Sequence, residues 1–273
     1  MKTSNKFILG ALAIFVISLG IYNNALKAEY HKGTYKSPYN LLEKIPINGF
    51  SEIQLNAANM MTVEIKQGPF AVYVARQNED SVQLKKIGTR LVVDLNMNEK
   101  PDMIADYNTD GPRKKYVSEY RLNRLIIVCP NISLLKTDDA FLIKGQKQDK
   151  YEYSDEPDGF NTKPITLTMF KLDSLVVEAK GRGEISLSGN VIKALKTDIG
   201  RRATLIINSG NYIENIDLKA ETGSQVILHD LSFRFAPSVN SAGRQTSPHI
   251  KYDIADSAKL KLDGFSFKLL TRK

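Results

Sequence analysis

The residues able to do chemistry are few and scattered. Cys129, the single cysteine of 273 residues, closes the apolar run Leu125-Ile126-Ile127-Val128-Cys129 directly before Pro130. A lone cysteine excludes an intramolecular disulfide and any cysteine-based zinc site. With no histidine near it in sequence, it reads as a buried strand-end thiol and not as a nucleophile. The three histidines, His31, His229 and His249, lie far apart. His229 follows Leu228 in a strand-like pattern and His249 follows Pro248 in a loop, with no second ligand or orienting group identifiable for either. Asp155-Glu156-Pro157-Asp158-Gly159, near Asp149 and Glu152, is an acidic turn of the kind that collects calcium. Pro157 interrupts the loop pattern and no distal glutamate closes it, so a solvated loop is expected. Asp138 and Asp139, with Asp198 and Asp217 at other coils, could pair carboxylates for acid–base work, but the repeat does not cluster them. The sequence therefore offers no catalytic residue, no metal ligand set and no cofactor site.

Basic residues recur at turns and outward positions: Lys180, Arg182, Lys193, Lys196, Arg201, Arg202, Lys219, Lys251, Lys259 and Lys261. With a net charge of +8 they suit an anionic polysaccharide or lipid head groups, or simply keep a long β surface solvated. No glycine-rich phosphate loop stands between a strand and a helix. Nucleic acid is not expected as a partner, because the chain begins with an export signal.

That signal is the apolar run Phe7–Tyr22, preceded by Lys2 and Lys6. Sixteen helical residues span roughly 24 Å, shorter than the usual ~20-residue membrane span and longer than a typical signal core. Ala25 and Ala28 make poor cleavage sites, so residues 1–28 read as an uncleaved signal-anchor, with cleavage and secretion as the alternative. The anchor reading puts the body outside the cytoplasm, which in an envelope with two membranes is the periplasm. Residues 29–46, rich in Tyr and Lys with Pro38 and Pro46, read as a linker.

From residue 47 to 273 alternation of apolar and polar residues dominates: SEIQLNA, MTVEIKQ, FAVYVAR, RLVVDLN, ITLTMF, EISLSG, TLIINSG and KLKLDG are strands separated by turn residues. The body is all-β. A repeat runs through it. From Leu175, apolar or small residues recur at offsets 0, 2, 4, 8, 10 and 12 (Leu175, Val177, Ala179, Gly183, Ile185, Leu187), and the template restarts at Leu195, Ile216 and Ile250. It also fits Ile53, Leu55, Ala57, Met61, Val63 and Ile65, and more loosely Ile132, Leu134, Ala140 and Leu142, where Lys136 and Lys144 break it. A period of 20 to 21 residues with two short strands predicts a right-handed parallel β-helix, a β-solenoid of ~20-residue coils whose inward side chains stack into one column. Three inserts interrupt it, at 97–116, 145–164 and 231–248, and the closing Phe265-Ser266-Phe267-Lys268-Leu269-Leu270 is placed to cap the open end.

Several of these stretches resemble the head GIN domain, the "putative auto-transporter adhesin" domain of bacterial envelope proteins. The matching residues are Phe50-Ser51-Glu52-Ile53-Gln54-Leu55, Val63-Glu64-Ile65-Lys66-Gln67-Gly68, Val72-Tyr73-Val74, Arg90-Leu91-Val92-Val93 and Leu125 through Ile132. The resemblance covers about residues 47–265. It implies a β-helical, exported domain without enzymatic activity; its adhesin label describes shape. Small turns of the family's kind are replaced here by Thr137-Asp138-Asp139-Ala140, while Gly181-Arg182-Gly183 is closer and Gly200-Arg201-Arg202-Ala203 carries two arginines.

The expected function is a non-catalytic, envelope-exposed binding or adhesin-like module tethered to the membrane, with an envelope polysaccharide or protein as partner. An inner-membrane structural or assembly scaffold is the second reading, and a β-helical carbohydrate-active enzyme the third.

Overall fold

In a computed structural model, the described residues are 3–32, 39, 41–76, 79–97, 124–148, 165–229 and 249–262. The chain divides into two compact units, Met1–Leu42 and Glu43–Lys273. The first is built on one helix, α1 (Thr3–Lys32), thirty residues long. It continues ten residues past the apolar run, through Asn23 to Lys32. Its stretch Lys6–His31 holds 18 residues of mean hydropathy 1.8 with none of them buried; Phe7 is 75% and Tyr22 63% exposed. Ser18 Oγ donates to the Ile14 carbonyl at 2.8 Å, so its one polar side chain inside the run is satisfied locally. At about 1.5 Å per residue the helix is long enough and apolar enough to cross a bilayer, a property it shares with signal sequences.

The second unit is almost wholly β. Its first part comprises β1 (Leu42–Ile45), which lies in the stretch read as linker, β2 (Glu52–Leu55), β3 (Thr62–Gln67), β4 (Ala71–Ala75), β5 (Val82–Ile87), β6 (Arg90–Met97) and β7 (Arg124–Cys129). Then come β8 (Leu134–Thr137), β9 (Phe141–Ile143), β10 (Gln146–Gln148) and β11 (Ile165–Thr168). The repeat follows as β12 (Lys171–Ala179), β13 (Glu184–Ser188), β14 (Val191–Ile199), β15 (Thr204–Ile207), β16 (Tyr212–Ala220), β17 (Gln225–Leu228), β18 (His249–Ile254) and β19 (Lys259–Leu262). A 3-10 turn lies at Ala58–Met60.

The strands form two large mixed sheets. The first runs β1-β4-β7-β3-β11-β13-β15-β17-β19; the second runs β10-β9-β6-β2-β8-β12-β14-β16-β18, with β5 attached to β6. Each repeat gives one strand to each sheet. This corrects the expected right-handed parallel β-helix: the chain makes no closed solenoid. Antiparallel ladders at β4–β7, β5–β6 and β9–β10 are built into the sheets. Two-residue turns explain two of them. Gly88 (φ +61) lies between the Ile87↔Arg90 pair, and Lys144-Gly145 (φ +50 and +81) between Ile143↔Gln146, conformations that fold a strand back on itself instead of carrying it onward around a coil.

The stacking inferred from the period is nonetheless present within the sheets. Leu175 pairs with Leu195, Leu195 with Ile216 and Ile216 with Ile250, the last across the insert. The first three are at most 2% exposed, and inward residues of both sheets belong to one hydrophobic core. Burial of each such side chain contributes about 1.5–3 kcal/mol. One register differs from the sequence reading. Val177 pairs with Leu135 and Ala179 with Thr137, so Leu135 and Thr137 face inward, whereas Leu134 and Lys136 face out. Lys136 does not break the repeat; the template there is displaced by one residue, which exchanges the two faces of a strand.

Candidate functional site

Two faces and two columns of turns are available for function. On the outer face of the second sheet, parallel register lines charges up in rows. Lys136, Glu178, Asp198, Lys219 and Asp253 form one, and Lys196, Asp217 and Lys251 another. Lys136 meets Glu178 at 3.1 Å and Lys219 meets Asp198 at 3.4 Å. Lys193 reaches Asp173 at 2.6 Å, and this hydrogen bond and the lysine's charge hold the Asp173 carboxyl below its usual range. Four of the ten basic residues singled out in the sequence, Lys193, Lys196, Lys219 and Lys251, therefore sit on this face beside acidic residues, as does Lys136; Glu178 and Asp198 are the like-charged neighbours in these rows. Lys259 and Lys261 lie on the edge strand β19, where lysine discourages further pairing.

The outer face of the first sheet is different. Thr166, Ser186, Ile206 and Ile227 form a cross-strand row, flanked by Thr168, Ser188, Thr204 and Gln225. None of these is fully exposed, and charge stands at the ends of the rows, where Glu64 and Lys66 of β3 pair with Thr166 and Thr168 and Lys261 and Lys259 of β19 pair with Ile227 and Gln225. Glu184 at the start of β13 is half-buried, and burial raises its carboxyl above the ordinary 4.5.

The turn column leading from the first sheet to the second holds an amide ladder. Asn190 and Asn211, 0% and 4% exposed, occupy the same position in successive layers. Asn190 Oδ1 accepts the Phe170 N–H at 3.0 Å. Its Nδ2 donates to the Leu167 carbonyl at 2.9 Å and to Asn211 Oδ1 at 3.0 Å. Asn211 Nδ2 donates to the carbonyls of Leu187 and Asn208. These contacts satisfy turn backbone that the core would otherwise strand. The sequence reading missed this pair, although Ser188-Gly189-Asn190 and Ser209-Gly210-Asn211, 21 residues apart, announce it.

The opposite turn column, leading from the second sheet to the first, collects the remaining cations. Ala179 pairs with Ile199 before the turn and Glu184 with Thr204 after it, so residues 180–183 and 200–203 superpose one on one. Gly200 N donates to Ala179 O at 2.7 Å and Thr204 N to Gly183 O at 3.0 Å. Counted from the flanking pairs, Arg182 corresponds to Arg202 and Gly181 to Arg201, although the left-handed residue is Gly181 in the first turn and Arg202 in the second. Both oxygens of Asp139 accept the Arg182 backbone N–H, at 2.9 and 3.0 Å. Burial raises the Asp139 carboxyl; that N–H and the Arg182 and Arg202 charges oppose the rise. Gly181 (φ +77) is obligatory, since a Cβ there would fall on the Asp139 carboxylate.

The sequence-derived acids do not converge. Asp138 Oδ1 accepts the Ala140 N–H at 2.7 Å and Asp139 closes the turn just described, while Asp198 and Asp217 lie on the outer sheet face. Among the described residues no three His, Cys, Asp or Glu side chains come close enough to hold a metal ion. Cys129 is fully buried at the end of β7, and burial pushes its thiol up to about 12. His229 directly follows β17, and His249 opens β18 instead of lying in a loop. The acidic turn at 155–159, most of the three inserts and the segment 265–270 lie outside the described residues.

Comparison with known proteins gives structural likeness only. No protein-family model and no curated protein matches the chain. A structure from Parabacteroides distasonis described as a "putative adhesin" is 10% identical, covering 81% of this chain and 73% of that one at a TM-score of 0.46. A "putative adhesin" from Bacteroides fragilis is 9% identical, with 81% and 95% covered and a TM-score of 0.33. A "putative lipid binding protein" from P. distasonis is 11% identical, with the same coverages and a TM-score of 0.24. None of these carries a residue role over to this chain.

Proposed function

We propose that the chain is a non-catalytic binding module, adhesin-like in the manner of the head GIN domain, held in a membrane by α1 with its β body outside the cytoplasm. The observation that carries this reading is α1 itself: an apolar helix with no buried residue in its membrane-length stretch, on a protein whose described strands have a hydrophobic core of their own. Such a helix needs a lipid environment or a targeting role. Support for binding in place of catalysis comes from the acids Asp138, Asp139, Asp198 and Asp217, each engaged with backbone or lysine or placed in a charge row, and from a thiol too deeply buried to react. Support for an envelope partner comes from two broad, chemically distinct sheet faces held rigid by the stacked core.

The reading is tested with the full chain placed in discs of zwitterionic lipid and presented with solubilised envelope glycan and protein fractions. Specific, saturable retention of one fraction, without chemical change to it, is the expected result. Retention of none, or conversion of the retained material, contradicts it.

A further inference from the structure

β18 and β19 are the last strands of the two sheets, and among the described residues no strand pairs with their outer edges. The side chains that continue the inward columns are uncovered there. Ile216, Leu218, Ala220, Val226 and Leu228 of the layer before are at most 4% exposed. Their partners Ile250, Tyr252, Ile254, Leu260 and Leu262 are not buried, and Tyr252 is 53% exposed. Apolar side chains half in water forgo part of the free energy that burial gives the layers below, and an open edge leaves backbone groups free to accept another strand. The two edges differ. β19 turns Lys259 and Lys261 outward, which discourages pairing, whereas the outward Lys251 and Asp253 of β18 cancel in charge.

The sequence directly after β19 repeats the passage that leads into the second-sheet strands. Counted from Leu167, the last inward residue of β11, a left-handed residue stands at +2 (Met169), a buried ring at +3 (Phe170) and buried aliphatics at +5 and +8 (Leu172, Leu175). From Leu187 the same places hold Gly189, Asn190, Ile192 and Leu195. From Leu262 they hold Gly264, Phe265, Phe267 and Leu270, in a segment that lies outside the described residues. Glycine at the +2 place suits the left-handed conformation the other layers adopt there. Leu269, at the place of Ser174 and Ala194, departs from the pattern. We propose that the open edge of β18 is the docking site of residues 263–273 of the same chain, which join it as a further parallel layer with Leu270 set on Ile250. That register extends the column Leu175, Leu195, Ile216, Ile250 and sets Thr271 beside Lys251 on the outer face. It closes the edge through which one copy of the module would otherwise pair with another. The inference is independent of any ligand and of the role of α1.

The test uses the full chain in an uncharged detergent, with pairs of cysteines introduced and oxidation followed by mass analysis. Cys129 is fully buried and does not compete. Neighbouring strands bring Cα atoms within disulfide reach. K251C/T271C is expected to oxidise within one chain at least about tenfold faster than K251C/R272C, whose second cysteine points to the opposite face. L270D is expected to lower the thermal midpoint by about 4 °C or more, while T271D, on the outward face, holds it. Equal oxidation rates for the two pairs, or no disulfide in either, overturn the proposal, as does an L270D midpoint equal to that of the unaltered chain. A disulfide that K251C forms between two chains also overturns it and gives the edge to a second copy instead.

Discussion

Met169 shows what a single side chain costs in this fold. It sits at φ +62, exposed over 72% of its surface, in the turn position that the next two layers fill with Gly189 and Gly210. Met169→Gly relieves the left-handed strain but loosens the unfolded chain, for a net gain of about 0.5–1 kcal/mol in denaturant melts. Thr197 is the reverse case, a hydroxyl with 1% exposure and no partner for its oxygen, so Thr197→Val adds about 1 kcal/mol by the same measurement. Glu184 fixes a pH dependence. Its folded-state affinity for a proton is raised, so the native state binds more protons than the unfolded state just above pH 4.5, and stability falls as pH rises through that window. Melting midpoints of Glu184→Gln lose this part of the slope and exceed those of the unaltered chain near neutrality. A Glu184→Gln variant with an unchanged slope would assign the pH dependence to Asp139, whose shift has the same sign.

At the scale of elements the turns decide more than the strands. Asn190→Ala strands the Phe170 N–H and the Leu167 carbonyl and removes a partner of Asn211, and 2–4 kcal/mol of stability should be lost in denaturant melts. The inward column was legible in the sequence because alternation reports which face of a strand is buried: Leu175, Leu195, Ile216 and Ile250 align as their spacing says. Alternation does not report what lies beside a strand. Gly88 and Lys144-Gly145 carry the signal for antiparallel hairpins, which a 20-residue period of apolar residues does not contain. Near Leu134 the adjacent apolar pair Leu134-Leu135 fits either face, and only the pairing with Val177 selects Leu135. The basic residues were visible one by one. Their division into a neutralised sheet face and a concentrated turn depends on which residues become neighbours across layers, and periodicity alone says nothing of that.

For the whole molecule the account depends on α1 and the β body having different surroundings. A helix holding 18 residues of mean hydropathy 1.8, none of them buried, is stable against lipid, and the body carries its own core. The decisive measurement is protease digestion of intact spheroplasts producing the full chain, followed by mass analysis of the fragments. Cleavage within residues 43–273 before lysis, with peptides from the α1 region protected by the membrane, is the predicted result. A body that resists digestion until the spheroplasts are broken would place it in the cytoplasm and contradict the account.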